Sequence, residues 1–395
     1  MNRPFNFRSA LLSQITVTTA LLILVSCQEN STELLLEAKE ESNKMVTLLE
    51  ATQVANTFLL KEDRDQSTAG GREKNPEPRR VMKSDVVSEK GTVVFYLFNY
   101  EGGGFMVLSA TKRYYPVLAR SDKGSFDMKT VSGPLEGWVN HTRIKLKSLI
   151  DSDGRLEDEG DIAHRWKTLG VTTTSDDTKG ARVMICNDPN YTYPVWINPM
   201  LTTAWGQGCG YNDLSPVLGD GCGCDQRAFT GCVATAMAQI MRHWSHPAGY
   251  NWGGMVNNAG SNATAILMRD AGMATNMNYG CNESVTSYQA AETALRNNFQ
   301  YGAAQFIAPG SYTRSILVNE LNNGRPTLLA GFQNNNPVGH AWVCDGYFIE
   351  RLCDRFDDYY LNMNWGFDAN GNGYYHDSNW NGFNLGRQAI INIHP

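Results

Sequence analysis

The clearest periodic pattern in the chain lies at residues 233–244, where Val233, Met237, Ile240, Met241 and Trp244 recur at the three-to-four-residue spacing of one buried helix face. Thr230 and Gly231 precede it with turn and N-cap chemistry, so the pattern predicts a helix whose first turn carries Cys232. Alternation of period two appears further on. Residues 338–346 read as a strand entered through Gly339, with His340, Trp342 and Cys344 on one face and Ala341 and Val343 on the other. Residues 359–366 read as the next strand, joined to the first by a charged loop at 350–358. Upstream, residues 45–60 have helix periodicity, with Thr47 and Glu50 spaced as a capping box. Residues 93–98 and 104–109 read as a hairpin around a glycine turn, and 134–150 as another helix. Together these upstream elements predict a small α+β unit.

The patterning at the extreme N-terminus is of another kind. Arg3 and Arg8 precede a largely apolar stretch, uninterrupted over residues 20–25 and ending Leu24-Val25-Ser26-Cys27. A basic start, a short apolar core and small residues describe an export signal, too short for a stable membrane span. The final four residues resemble a bacterial lipoprotein box, which makes Cys27 a candidate for lipidation. Residues 28–43 are polar and acidic, as in a tether, and 61–80 are charged with glycines and prolines, as in a loop. Residues 172–180 hold no apolar anchor, and such stretches are preferred sites of proteolysis. The expected cut lies near Lys179 or Arg182, between two units, against the plainer reading of an uncleaved linker.

Composition narrows the class. The 395 residues suffice for two domains, and a net charge of −6 without a basic block argues against nucleic-acid binding. Thirty-seven glycines, clustered after Gly206, and only 19% charged residues predict a β-rich, loop-rich body rather than a helical bundle.

The candidate chemistry sits on the predicted helix and strands. A thiol in the first turn of a helix feels the positive end of the dipole, which favours the nucleophilic thiolate. Such a thiolate needs a base within hydrogen-bond reach, and a third group to fix that base. His340, at a strand start beside a strand ending in Asn364-Trp365, is the candidate base. Each residue alone has a plain alternative: a buried helix cysteine, a satisfied strand histidine, a loop glutamine.

The motifs in combination resemble the streptopain family of cysteine peptidases. The resemblance rests on residues 231–241, the Gly339-His340-Ala341 strand, the Asn364-Trp365-Gly366 strand and the glycine-rich tail. It extends to residues 267–272, 277–280 and 294–299, and residues 104–110, 116–118 and 124–127 are similar to the family's propeptide. It therefore covers most of the chain after about residue 45. The resemblance implies an α+β fold in which a papain-like domain, its cysteine-bearing helix set against an antiparallel sheet, follows a small α+β pro-domain. The implied division is a signal peptide with lipoprotein box at 1–26, a propeptide at 27–180 and a catalytic domain at 181–395. Cys232 takes the place of the nucleophile and His340 that of the general base. Gln207 matches the oxyanion-hole glutamine, and Asn364 and Trp365 match the Asn-Trp pair near the histidine.

The function implied is a secreted cysteine endopeptidase made as a zymogen, acting on protein or peptide substrates. Its own pro-domain is the expected intramolecular inhibitor, and membrane association comes only through lipid at Cys27. Two alternatives keep the fold: a catalytically silent surface binding protein, and an acyltransferase using the same cysteine–histidine pair. No cofactor or metal is expected. Cys222-x-Cys224 with His243-x-x-His246 has zinc-ligand types at an unsuitable cysteine spacing. Asp368-x-Asn370-x-Asn372-Gly373 imitates the start of a calcium loop but has Asn379 at position twelve, so a glycine-rich turn is the expectation. Of nine cysteines, Cys209 could pair with Cys222 or Cys224, and Cys344 with Cys353, but connectivity is not readable from sequence.

Overall fold

The computed structural model describes residues 44–56, 79–131, 133–152, 159–171, 195–333, 336–352, 356–378 and 383–395. The expected signal peptide, the lipidated Cys27, the boundary at residue 180 and the cut near Lys179 or Arg182 lie outside them.

Early among the described residues stands helix α1 (residues 48–56), started by the capping box that Thr47 and Glu50 predict. The Thr47 N–H donates to Glu50 Oε2 at 2.7 Å, and the Glu50 N–H donates back to Thr47 Oγ1 at 3.2 Å. An antiparallel meander follows: β1 (Val81–Glu89), β2 (Thr92–Tyr100), β3 (Phe105–Ser109) and β4 (Val117–Ser121). The predicted hairpin is the β2–β3 pair, in register from Phe95↔Ser109 to Asn99↔Phe105. Helices α2 (Gly133–Asp151) and α3 (Glu159–Thr168) complete this N-terminal unit.

The C-terminal unit begins with β5 (Val195–Ile197), followed by helices α4 (Cys232–Trp244), α5 (Asn262–Ala274) and α6 (Tyr288–Asn297). Then come β6 (Gln305–Ile307), α7 (Arg314–Asn322), β7 (Thr327–Gln333), β8 (Asn336–Leu352), β9 (Phe356–Asn364), β10 (Gly373–His376) and β11 (Leu385–Ile391). The charged segment expected as a loop is largely strand. β8 and β9 stay paired through Glu350↔Asp358 and Arg351↔Asp357 to Leu352↔Phe356. Ladder hydrogen bonds join backbone groups, so side-chain charge does not end a hairpin.

Among the described residues, all eleven strands belong to one sheet in the order β1-β2-β3-β4-β10-β9-β8-β7-β11-β6, with β5 against β8. The two units therefore share a sheet, joined where Arg120↔Tyr374 and Ala119↔Tyr375 pair β4 with β10. Above this seam the Arg120 guanidinium lies 3.7 Å from the Phe348 ring centroid, a cation–π contact between units.

The alternation in β8 divides two cores. Trp342 and Cys344 enter one core with Trp365, Leu361 and Tyr375, and with Phe95, Phe126 and Trp138 of the N-terminal unit. Ala341 and Val343 enter another core with Val233, Met237, Ile240 and Met241 of α4. A third core packs α1 and Trp166 on the opposite face of β2 and β3. Burying aromatic residues from both units in one core ties the units together by the hydrophobic effect.

Two disulfides join Cys209 to Cys224 and Cys222 to Cys281. The first is one of the two expected pairings. The second leaves the zinc reading without its thiolates, because both members of Cys222-x-Cys224 are oxidised. The Cys344–Cys353 expectation is corrected: Cys344 is a buried free thiol inside β8, opposite Met363, with its side chain committed to the core.

Candidate active site

Helix α4 begins at Cys232 because Gly231 turns the chain at φ +90°, a conformation that strains any side-chain-bearing residue. A Cβ at Gly231 would also stand 2.8 Å from Met277 Cε and 2.9 Å from the Ser284 carbonyl oxygen. The turn is held from beneath by Ser284 Oγ, which donates to the Phe229 carbonyl at 2.7 Å. Glycine is thus required by conformation and by space together.

The Cys232 thiol faces the backbone of Ala341, the residue after His340, so helix and strand bring the expected nucleophile and base into one neighbourhood. Two influences on the thiol oppose each other. The helix start and the neighbouring N–H groups favour the thiolate, but burial dominates and pushes the thiol above its ordinary value, with Glu283 adding to the rise. The helix-dipole expectation is therefore outweighed in this arrangement.

His340 is buried, and its Nε2 lies 3.0 Å from the Trp365 carbonyl oxygen. A carbonyl only accepts, so Nε2 carries the proton in this contact. Burial pulls the imidazole down to about 3, against the opposing pull of that carbonyl. Trp342 and Trp365 flank the ring, with centroids at 5.8 and 6.5 Å. Among the described residues, no hydrogen bond joins His340 to Cys232. Burial thus acts against the charged form of both groups.

Gln207 lies in the segment leading into the loop before α4, where its carbonyl accepts from the Thr230 N–H at 3.1 Å. Asn364 does not bond His340 among the described residues. Its Nδ2 donates to the Thr203 carbonyl at 2.7 Å and to Gln239 Oε1 at 3.1 Å, while Gln239 Nε2 returns a bond to Asn364 Oδ1 at 3.2 Å. Gln239 Oε1 also accepts from the Trp205 N–H at 3.2 Å. This buried hub ties α4, the end of β9 and the segment before Gln207 into one unit. Buried amides that satisfy one another in this way specify a unique arrangement. Trp365 covers His340, and its own Nε1 donates to the Gly371 carbonyl at 3.2 Å.

Two residues of this neighbourhood escape the sequence reading. Gln239 carried a signal, a fully buried amide on an otherwise apolar helix face. Tyr288 carried none in the sequence. Its hydroxyl donates to the His340 carbonyl at 3.3 Å, and burial, with Cys232 nearby, raises its pKa well above the ordinary phenol value.

The N-terminal unit reaches this site. Asn370 Nδ2 donates to the Thr130 carbonyl at 3.3 Å, and the Gly371 N–H donates to the Ser125 carbonyl at 3.3 Å. Residues 125–130 thereby hold the 366–372 loop that follows Trp365. The side chains of the calcium-like run diverge: Asn370 reaches Thr130, while Asn372 Oδ1 accepts from the Trp365 N–H at 2.9 Å. The run is a turn, as expected.

Comparison with known proteins agrees with both halves of this picture. Residues 205–375 match the peptidase C10 family, and residues 43–145 match the Spi protease inhibitor family. The thiol protease/hemagglutinin PrtT of Porphyromonas gingivalis is 27% identical over 89% of this chain, which spans 42% of that protein's length. Streptopain of Streptococcus pyogenes serotype M1 is 25% identical over 82% of this chain and 83% of its own. The fold is that of a prointerpain A fragment from Prevotella intermedia, at 24% identity and a TM-score of 0.55 over 79% of this chain and 99% of that one. Residues 205–375, which carry Cys232 at the start of α4 and His340 on the adjacent strand, thus match the peptidase C10 family of cysteine-type peptidases, and the unit that shares their sheet matches a protease-inhibitor family.

Proposed function

We propose that the protein is an exported cysteine endopeptidase made as a zymogen, with Cys232 as nucleophile, His340 as its proton partner and Gln207 as an oxyanion donor. The observation that carries this reading is the placement of Cys232 at the helix start beside the His340 strand, with residues 125–130 of an inhibitor-like unit holding the neighbouring loop. In the proposed reaction His340 takes the Cys232 proton and Sγ attacks the scissile carbonyl carbon. The oxygen that becomes negative is met by the Gln207 amide and the Cys232 N–H. His340 then protonates the leaving amine, and it later takes a proton from the water that hydrolyses the acyl-enzyme. Trp365 shields the imidazole, and Asn364 holds the end of β9 through Gln239 and Thr203. The family resemblance supports substrates with an apolar side chain one residue before that bearing the scissile carbonyl.

The resting state fits latency. A thiol raised by burial and an imidazole lowered by burial cannot share a proton in favour of the ion pair. Removing the N-terminal unit is expected to admit water and restore the pair. The basic and apolar N-terminus supports export, with a lipid on Cys27 before residues 172–190 are cut. Intact-mass measurement of the cell-associated and processed forms checks both steps. An unmodified Cys27 refutes the anchor, and an uncut 172–190 segment refutes the maturation site.

The activity is tested with the full chain and its Cys232→Ala variant under reducing conditions, following self-processing and casein cleavage. Both are expected in the wild type and neither in the variant. Equal cleavage by the two chains contradicts the assignment of Cys232, and no cleavage by the wild type after an added protease has removed the N-terminal unit contradicts the peptidase reading.

A further inference from the structure

Gln207 has to present its side-chain amide to substrate, and among the described residues that amide has no hydrogen-bond partner of its own. An oxyanion donor must be free in this way before substrate arrives. Its aim then depends on the backbone around it. Trp205 is fixed on one side by Gln239. The other support comes from a residue remote in sequence.

The carboxylate of Asp368 lies flat against Gly206. A Cβ built at Gly206 would stand 2.5 and 2.6 Å from the two carboxylate oxygens, so a side chain there would have to displace the carboxylate. The loop bearing Asp368 is folded to make this approach. Asp368 and Ala369 both occupy the left-handed region, at φ +49° and +65°. Two consecutive non-glycine residues there are strained, and such strain persists only where the surroundings impose it. On the far side stands Tyr211, buried, with its hydroxyl facing the Asp368 carboxylate and the Gly206 N–H. That hydroxyl has no hydrogen bond of full geometry, which is unusual for so buried a group and costly unless it is used. Burial raises both the phenol and the carboxyl above their ordinary values.

We propose that Asp368 is a positioning residue for the reaction, acting with Tyr211 on the Gly206 backbone to hold Gln207 in its oxyanion-binding pose. The inference rests on the peptidase reading above. Asp368 does not touch the thiol or the imidazole; it acts through Gln207. Its loop is also the one held by Ser125 and Thr130, so the support for Gln207 and the docking of the N-terminal unit share one element.

The test uses the full chain nicked within residues 172–190 by an added protease, with a fluorogenic peptide as substrate and iodoacetamide as probe of Cys232. Asp368→Ala is expected to lower kcat by about 10–100-fold, the scale of a misplaced catalytic donor, with KM within about twofold. Asp368→Asn, whose amide carbonyl keeps an acceptor facing Tyr211, is expected to recover most of that loss. Tyr211→Phe is expected to fall between them. In a Gln207→Ala background, Asp368→Ala is expected to add less than about twofold, because the residue it positions is gone. The alkylation rate of Cys232 should stay unchanged throughout, which also shows that the variants are folded. Multiplying losses in the double variant, or alkylation that slows with kcat, would overturn the positioning role while leaving the peptidase intact. A wild type that alkylates but cleaves nothing overturns the peptidase reading and this role with it.

Discussion

At Asp345, one side chain shows how burial sets protonation throughout this site. The carboxyl accepts from the Leu201 N–H at 2.8 Å, and its other oxygen is buried without a hydrogen bond. Burial pushes it up to about 7, against the backbone N–H groups that favour the anion. A raised carboxyl binds its proton more tightly in the folded chain, so its contribution to stability is present below about pH 4 and is lost as pH rises through about 7. In the Cys232→Ala background, which removes self-digestion, the melting temperature is expected to fall between pH 5 and pH 8. Asp345→Asn is expected to flatten that fall, by at most roughly 4 kcal/mol of the pH-dependent stability. An unchanged slope in the variant would assign the effect to other groups. Cys232, His340 and Gln207 were recognisable as candidates in the sequence because each has a motif around it. Asp345, Tyr211 and Tyr288 were not, since their roles come from burial and from partners distant in the chain.

At the scale of elements, the predicted helices and the β2–β3 hairpin are found because capping, periodicity and turn chemistry are local. The β4–β10 seam is not legible locally, because its partners are separated by more than two hundred residues of chain. The same holds for the second disulfide, which ties the loop before α4 to the turn at Cys281 and so braces the floor under Gly231. Helix α2 also joins the N-terminal unit to the peptidase unit, through Trp138. Trp138 is fully buried, with its ring centroid 5.6 Å from that of Tyr375 on β10, which in turn stands 5.1 Å from Trp365. Trp138→Ala removes that wedge, and truncations of this kind cost about 3–5 kcal/mol. Faster self-processing at a lowered melting temperature is the expected outcome, read by gel and by thermal unfolding. A variant that melts lower yet processes no faster would show that α2 stabilises the fold without restraining the site.

Across the whole molecule, one sheet carries both the inhibitor-like unit and the peptidase unit, and one aromatic core runs between them. Release of the N-terminal unit would therefore break backbone pairing as well as side-chain packing, so the proposed latency belongs to the intact chain rather than to a plug in a cleft. The expectation of two units came from length and motif; their fusion into a continuous sheet was not legible, because nothing local in the sequence marks an edge strand as shared. The most direct measurement is kcat/KM on a fluorogenic peptide for the full chain held uncut, compared with the same chain cut within residues 172–190, with Cys232→Ala as the control. Latency imposed by the N-terminal unit predicts a rise of at least about a hundredfold on cutting, equivalent to roughly 3 kcal/mol of restraint, and none in the control. An uncut chain as active as the cut one, or a control that gains activity on cutting, would contradict it.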